Sequence, residues 1–197
     1  MNFRILFLSL FSFLFLTFST ASAQQSPGEF VVSLIEQANG IANLEERHQE
    51  NALLYLVRLT FDIPRVGKFV LGRYWRTATS EQRSKFLRIF ELTAVRSFSP
   101  LLKDVPLDSF KIVRVNYKNT DNIFVFSTIE SGNKEIIKIN WRLRREYSYQ
   151  GYRVIDITAE GVSLIVTMRA EYTSFIKRNG GIDNLISELR KKADEKR

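Results

Sequence analysis

Ile123-Phe124-Val125-Phe126-Ser127-Thr128-Ile129-Glu130 is the stretch whose reading decides the fold. Its β-branched and aromatic residues suit a pleated surface far better than a helix. The same texture begins at Phe110 and recurs in runs of about eight to twelve residues separated by turn signals. It predicts strands over Phe110–Tyr117, Ile123–Glu130, Glu135–Arg145 and Tyr152–Ala159. The turns are Asn119-Thr120-Asp121-Asn122, Ser131-Gly132-Asn133 and Gln150-Gly151. Four strands joined so tightly should pair as an antiparallel meander.

One irregularity stands out in that meander. A sheet with one wet face alternates cleanly between apolar and polar residues. Here Ile123, Val125 and Ile129 share one face while Phe124 and Phe126 occupy the other. The next strand sets Ile137, Ile139, Trp141 and Leu143 against Lys138 and Arg142. Part of the sheet should therefore be covered on both sides. Helices on one face, with either a ligand or another helix on the other, would do so; two filled layers without a cavity fit the pattern equally.

Outward from the strands the period becomes helical. Ser26-Pro27-Gly28-Glu29 forms a capping box with proline in the first turn, opening a helix to about Ala38 that Asn39-Gly40 should end. A second helix is expected from about Asn43 to Leu59. Asp62 should cap a short third helix carrying Val66, Phe69, Val70 and Leu71, with Gly72 as its stop. Thr79-Ser80-Glu81-Gln82 opens a long helix to about Leu102, with Leu87, Phe90, Ala94, Phe98 and Leu101 on one side. Beyond Glu160-Gly161 come two more helices, broken at Asn179-Gly180-Gly181, and Lys191–Arg197 reads as a frayed charged tail. The fold class is α+β: a helical N-terminal lobe, a four-stranded antiparallel sheet and C-terminal helices.

The first residues carry a different message. Met1-Asn2-Phe3-Arg4 is a positive n-region, Ile5–Phe18 an apolar core and Ala21-Ser22-Ala23 a small-x-small cleavage pattern. Residues 1–23 are therefore expected to be a secretory signal peptide, with 24–190 forming one domain. The chain has no cysteine, which excludes disulfides, iron–sulfur clusters and thiolate zinc. Its formal net charge is +8, and for an exported protein that favours anionic membrane or an acidic partner over nucleic acid.

Familiar catalytic chemistry is missing. No phosphate-cradling loop and no dinucleotide fingerprint occur, and the single histidine, His48, sits among Glu45, Glu46, Arg47 and Gln49 on a polar helix face. Asp156, between Ile155 and Ile157, is the most enzyme-like residue. It is either a base in an apolar pocket or a carboxylate bonded to Arg142 or Arg144 on the next strand. Arg142, Arg144, Arg145 and Arg153 gather on adjacent strands, where they either grip a headgroup or acidic partner or form a solvated edge.

The run Phe61-Asp62-Ile63-Pro64-Arg65-Val66-Gly67-Lys68-Phe69-Val70-Leu71-Gly72-Arg73-Tyr74-Trp75-Arg76 resembles the periplasmic phospholipid-binding MlaC proteins, also called the toluene-tolerance family. The likeness continues through Ala78–Arg83, Val154–Ile157, Glu160–Leu164 and Asn179–Ile186. It implies a lipid carrier without catalysis, cofactor or metal, whose curved sheet is similar to the nuclear-transport-factor-2 fold. It also implies a periplasmic location. The implied partners are a phospholipid, an MCE-domain protein of an inner-membrane ABC transporter, an outer-membrane lipoprotein complex and, transiently, a membrane. Family position and apolar faces together nominate Phe69, Val70, Tyr74, Trp75, Phe90, Phe98, Val125, Ile139, Trp141, Ile165 and Met168 as lining for acyl tails. Phe98 stands where many members carry tyrosine. The resemblance leads us to expect an apolar hollow between sheet and helices. The other open readings are an interaction protein with a filled core and an enzyme using Asp156.

Overall fold

The computed structural model describes residues 25–102, 107–119, 121–130, 134–146 and 151–195, with backbone alone at 98 and 100–102. The expected signal peptide lies outside the described residues, as does the Phe98 side chain. Five helices come first: α1 (Pro27–Ala42), α2 (Glu46–Thr60), α3 (Ile63–Leu71), α4 (Tyr74–Thr77) and α5 (Ser80–Leu102). Then follow β1 (Lys111–Asn119), β2 (Asn122–Glu130), β3 (Ile136–Glu146), β4 (Gly151–Ala159) and β5 (Val162–Ser163), and finally α6 (Leu164–Asn179) and α7 (Ile182–Glu195). The architecture is α+β, with an antiparallel sheet in the order β1-β2-β3-β4-β5.

The caps fall where local chemistry puts them. Ser26 Oγ accepts the Glu29 amide at 3.2 Å, and Glu29 returns the bond by accepting the Ser26 amide at 2.7 Å. Thr79 and Gln82 make the same reciprocal pair before α5. Asp62 accepts from the Arg65 amide at the start of α3, and Ser163 from the Val166 amide at the start of α6.

Four expectations need correction. Asn39-Gly40 does not end α1, which runs on to Ala42 because Ala42 is buried and Asn43 closes the last turn. As a result α2 begins at Glu46, not near Asn43. A fifth strand, β5, adds two residues to the meander, paired with Thr158 and Ala159. The supposed charged tail is helical to Glu195, because Ala193 is fully buried and its carbonyl accepts from Arg96 Nη1 at 2.9 Å.

The core is divided into two clusters. In one, α1 (Val31, Leu34, Ala38) and α2 (Leu56) cover one face of the sheet: Ile123, Val125, Trp141, Leu143 and Val154. In the other, α3, α5, α6 and α7 pack together through residues such as Val70, Phe86, Phe90, Tyr172, Ile186 and Leu189. Phe86 and Phe90 stack at 5.5 Å, and Tyr172 stands edge-on to both. Gly67 permits close approach of α3 to α5, since a Cβ there would lie 2.4 Å from Leu87 Cδ2.

Polar links tie the clusters together. The Asp62 amide donates to the Val154 carbonyl at 3.0 Å, extending β4 with a short parallel bridge at Phe61. Arg58 grips Glu91 with two bonds, of 2.8 and 3.0 Å, and Arg96 grips Glu50 with bonds of 2.6 and 3.0 Å, fastening α2 to α5. Such paired guanidinium–carboxylate contacts fix orientation as well as distance.

Candidate functional site

The nominated tail-lining residues divide between the two clusters. Val125 and Trp141 are buried in the sheet cluster, and Ile139 packs against it. Val70 and Phe90 are buried in the helical cluster, with Tyr74, Trp75, Ile165 and Met168 half-buried around it. Phe69 is the exception: it is 37% exposed, under the guanidinium of Arg169 at 4.8 Å from the ring centre. Any ligand touching all of these residues would have to lie between sheet and helices.

Two clefts lie among the helices. One of about 420 Å³ runs between α5, α6 and α7, lined by Thr93, Ala94, Met168, Glu171, Tyr172 and Leu189 among others. Burial pushes the Tyr172 phenol up to about 12, with the charge of Glu171 adding to the effect. The second, of about 400 Å³, lies between the α3–α4 corner and α6 and is predominantly basic. Of the nominated tail-lining residues, Met168 borders the cleft between α5, α6 and α7.

On the second face of the sheet, Phe124 and Phe126 are half-buried and each has a guanidinium near its ring. Arg114 lies 4.1 Å from the Phe126 ring centre and Arg142 lies 5.8 Å from that of Phe124. Guanidinium planes over aromatic faces shield apolar area while keeping the charge wet.

The four strand arginines have internal work. Arg144 donates to Asp62 Oδ2 at 2.6 Å and to Glu146 Oε2 at 2.8 Å, and these bonds hold its pKa above the usual range despite the opposing effect of burial. Arg153 donates to the carbonyls of Arg58 and Phe61. Arg142 donates to Asn122 Oδ1 at 2.9 Å. Arg145 leans over Tyr152 at 6.0 Å, and its buried Nε has no hydrogen-bond partner. Arg144 and Arg153 brace β3 and β4 against the α2–α3 connection, while Arg142 ties β3 to β2.

Asp156 is likewise structural in its contacts. Its carboxylate accepts from the Ser163 hydroxyl at 2.7 Å and from the Ile165 amide at 3.4 Å, and so pins the start of α6 to β4. The arginine partner expected from its neighbours is replaced by these donors, because β5 folds back beside β4 and brings Ser163 opposite Thr158. His48 is exposed. Among the described residues no group of three His, Cys, Asp or Glu could hold a metal, and no helix is long and apolar enough to cross a membrane.

The basic cleft was not singled out by the sequence reading. Arg169, Thr173 and Lys177 recur every fourth residue on α6, a spacing that shows them sharing a face. Their meeting with Arg73 depends on the sharp corner at Gly72, whose φ of +55° suits glycine. A Cβ at Gly72 would lie 3.1 Å from the Arg169 guanidinium.

Comparison with known proteins agrees with this architecture. A phospholipid-binding protein from Ralstonia solanacearum, solved in complex with a phospholipid, superposes with a TM-score of 0.66 at 20% identity, covering 86% of this chain and 97% of that one. The intermembrane phospholipid transport system binding protein MlaC of Haemophilus influenzae is 24% identical over 148 residues, 74% of this chain. The match spans 66% of that relative's length. The family model described as MlaC protein matches residues 29–191, and the chain belongs to that family.

Proposed function

We propose that this protein is a periplasmic carrier of glycerophospholipid. Its acyl tails would enter between the sheet cluster and the helical cluster, lined by Val70, Tyr74, Trp75, Phe90, Phe98, Val125, Ile139, Trp141, Ile165 and Met168, with Phe69 at the margin. The observation that carries this reading is the division of the core. Two apolar clusters lie in one domain, and half-buried aromatic and aliphatic side chains ring the helical one. A cluster boundary can part at lower cost than a single interlocked core, since fewer contacts cross it. Membership of the MlaC family and the bound phospholipid of the Ralstonia protein support the choice of ligand.

The energetics suit a shuttle. Each CH₂ removed from water contributes about 0.8 kcal/mol, but a bilayer offers nearly the same. Transfer between membrane and protein is then close to neutral, so loading and release are both accessible. The barrier is exposure of the tails, which docking at donor and acceptor removes. The partners in this reading are an MCE-domain protein of an inner-membrane ABC transporter, an outer-membrane lipoprotein complex and the membrane surface itself.

Mass spectrometry of organic extracts from the purified protein tests the proposal. A co-purifying phospholipid near one per chain is expected. A protein that is empty after gentle purification and takes up no labelled lipid from vesicles overturns it. The second reading is an interaction protein with a filled core. The third reading, an enzyme, loses its motive because Asp156 is engaged by Ser163 and Ile165.

A further inference from the structure

We propose that the basic cleft between the α3–α4 corner and α6 is the surface by which the protein docks on the anionic headgroups of a bilayer. This deepens the carrier reading and rests on it for its purpose. Arg73, Arg169, Ala170, Thr173, Ser174 and Lys177 line the cleft, which has a volume of about 400 Å³. Three cations thus face one small space with no carboxylate among its lining. Among the described residues none of the three forms an ion pair. That contrasts with Arg58, Arg96 and Arg144, each of which grips a glutamate or aspartate.

The cleft is held in shape by aromatic rings. Arg169 lies over Phe69, and Arg73 lies 5.0 Å from the Tyr74 ring centre while donating to its hydroxyl at 3.0 Å. Guanidinium groups stacked in this way keep edge N–H donors free for oxygen. Thr173 is committed to its own helix, donating to the Arg169 carbonyl at 2.7 Å, which leaves the cations and the Ser174 hydroxyl to meet a ligand. Uncompensated like charges repel, and a bound phosphate relieves that repulsion.

The surroundings favour a membrane over an acidic protein. Phe69 is 37% exposed, and Val166, one turn before Arg169 on α6, is 54% exposed. Cations interleaved with exposed apolar side chains match the boundary between headgroups and acyl chains. Every strand arginine nominated for docking is already occupied within the fold, apart from Arg145, whose Nε is buried. The α6 cleft instead gathers three cations that form no ion pair among the described residues.

Co-sedimentation of the purified protein with vesicles tests this. Phosphatidylglycerol-containing vesicles should bind it far better than pure phosphatidylcholine, and the preference should fade as salt rises. Removing cations with Arg73→Gln, Arg169→Gln and Lys177→Gln should weaken binding roughly fivefold for each. The control Lys111→Gln, Lys118→Gln and Lys134→Gln removes the same charge from the strand region and should leave most binding intact. Equal loss in both triples would mean bulk charge only and overturn the proposal. Absence of any phosphatidylglycerol preference assigns the cleft to an acidic protein surface and also overturns it. Displacement from vesicles by inorganic phosphate, at constant ionic strength, identifies a free-phosphate site and overturns it too. Lipid content of the variants, read from organic extracts, separates this question from cargo: the α6 triple should lose vesicle binding and keep its lipid.

Discussion

Arg144 Nε donates to Asp62 Oδ2 at 2.6 Å, joining the C-terminal end of β3 to the residue that caps α3. One carboxylate thus serves two purposes, since its other oxygen accepts the Arg65 amide at 3.1 Å. Asp62 also ties its own amide to Val154. The sheet cluster and the helical cluster meet through this residue.

The two purposes can be separated by substitution. Asp62→Ala removes both cap and ion pair and should cost about 2–4 kcal/mol in urea unfolding. Asp62→Asn keeps a capping oxygen and should cost visibly less. Arg144→Met should show strong coupling to Asp62→Asn in a double-mutant cycle, and additive losses would remove Asp62–Arg144 as the brace between clusters.

A second test concerns the sheet interior. Trp141 Nε1 donates to Ser127 Oγ at 3.0 Å, and Ser127 donates onward to the Ile139 carbonyl at 2.7 Å. Ser127→Ala leaves the buried indole N–H without an acceptor, which should cost about 1–3 kcal/mol. Trp141→Phe should then cost less in the Ser127→Ala background than in the parent, as measured by thermal or urea unfolding.

Alkaline stability should reflect Tyr172. Its phenol titrates at about 12 in the folded protein, against 10.0 for an ordinary tyrosine. The folded state therefore binds this proton more tightly than the unfolded state does. The contribution is complete below pH 10 and is lost as pH rises through the folded value, with a size of about 2–3 kcal/mol. Tyr172→Phe should flatten this part of the stability profile between pH 10 and 12. An unchanged slope would place the phenol in water.

Cargo retention should depend on side chains at the edge of the helical cluster. Ile165→Glu and Met168→Glu alter half-buried positions, so the fold should survive while co-purified phospholipid falls severalfold. Phe90→Ala is a different case: Phe90 is 3% exposed, and the loss should be about 3–5 kcal/mol of stability. Lipid content equal to that of the parent in folded Ile165→Glu and Met168→Glu proteins would move the tail path elsewhere.

Much of the fold was legible in the sequence because its signals are local. Ser26-Pro27-Gly28-Glu29 and Thr79-Ser80-Glu81-Gln82 satisfy their helix ends within four residues, and both formed. The period-two pattern of β2 was equally readable, with Ile123, Val125, Ser127 and Ile129 all buried on one face. Where a boundary depended on distant packing, the local signal misled. Gly40 should have stopped α1, yet burial of Ala42 carries the helix past it, and burial of Ala193 orders a segment that reads as a charged tail.

By itself, then, the sequence determined the elements, their caps, the antiparallel meander and the family likeness, because all of these rest on neighbours a few residues apart or on the order of motifs. The tertiary structure decided how the charges are used. Arg144 meets a carboxylate 82 positions away and is consumed by it, while Arg73 and Arg169, brought together by the corner at Gly72, form no ion pair among the described residues. Electrostatic partnership falls off over a few ångströms of space, so only the folded chain sets which cations face inward and which face a ligand.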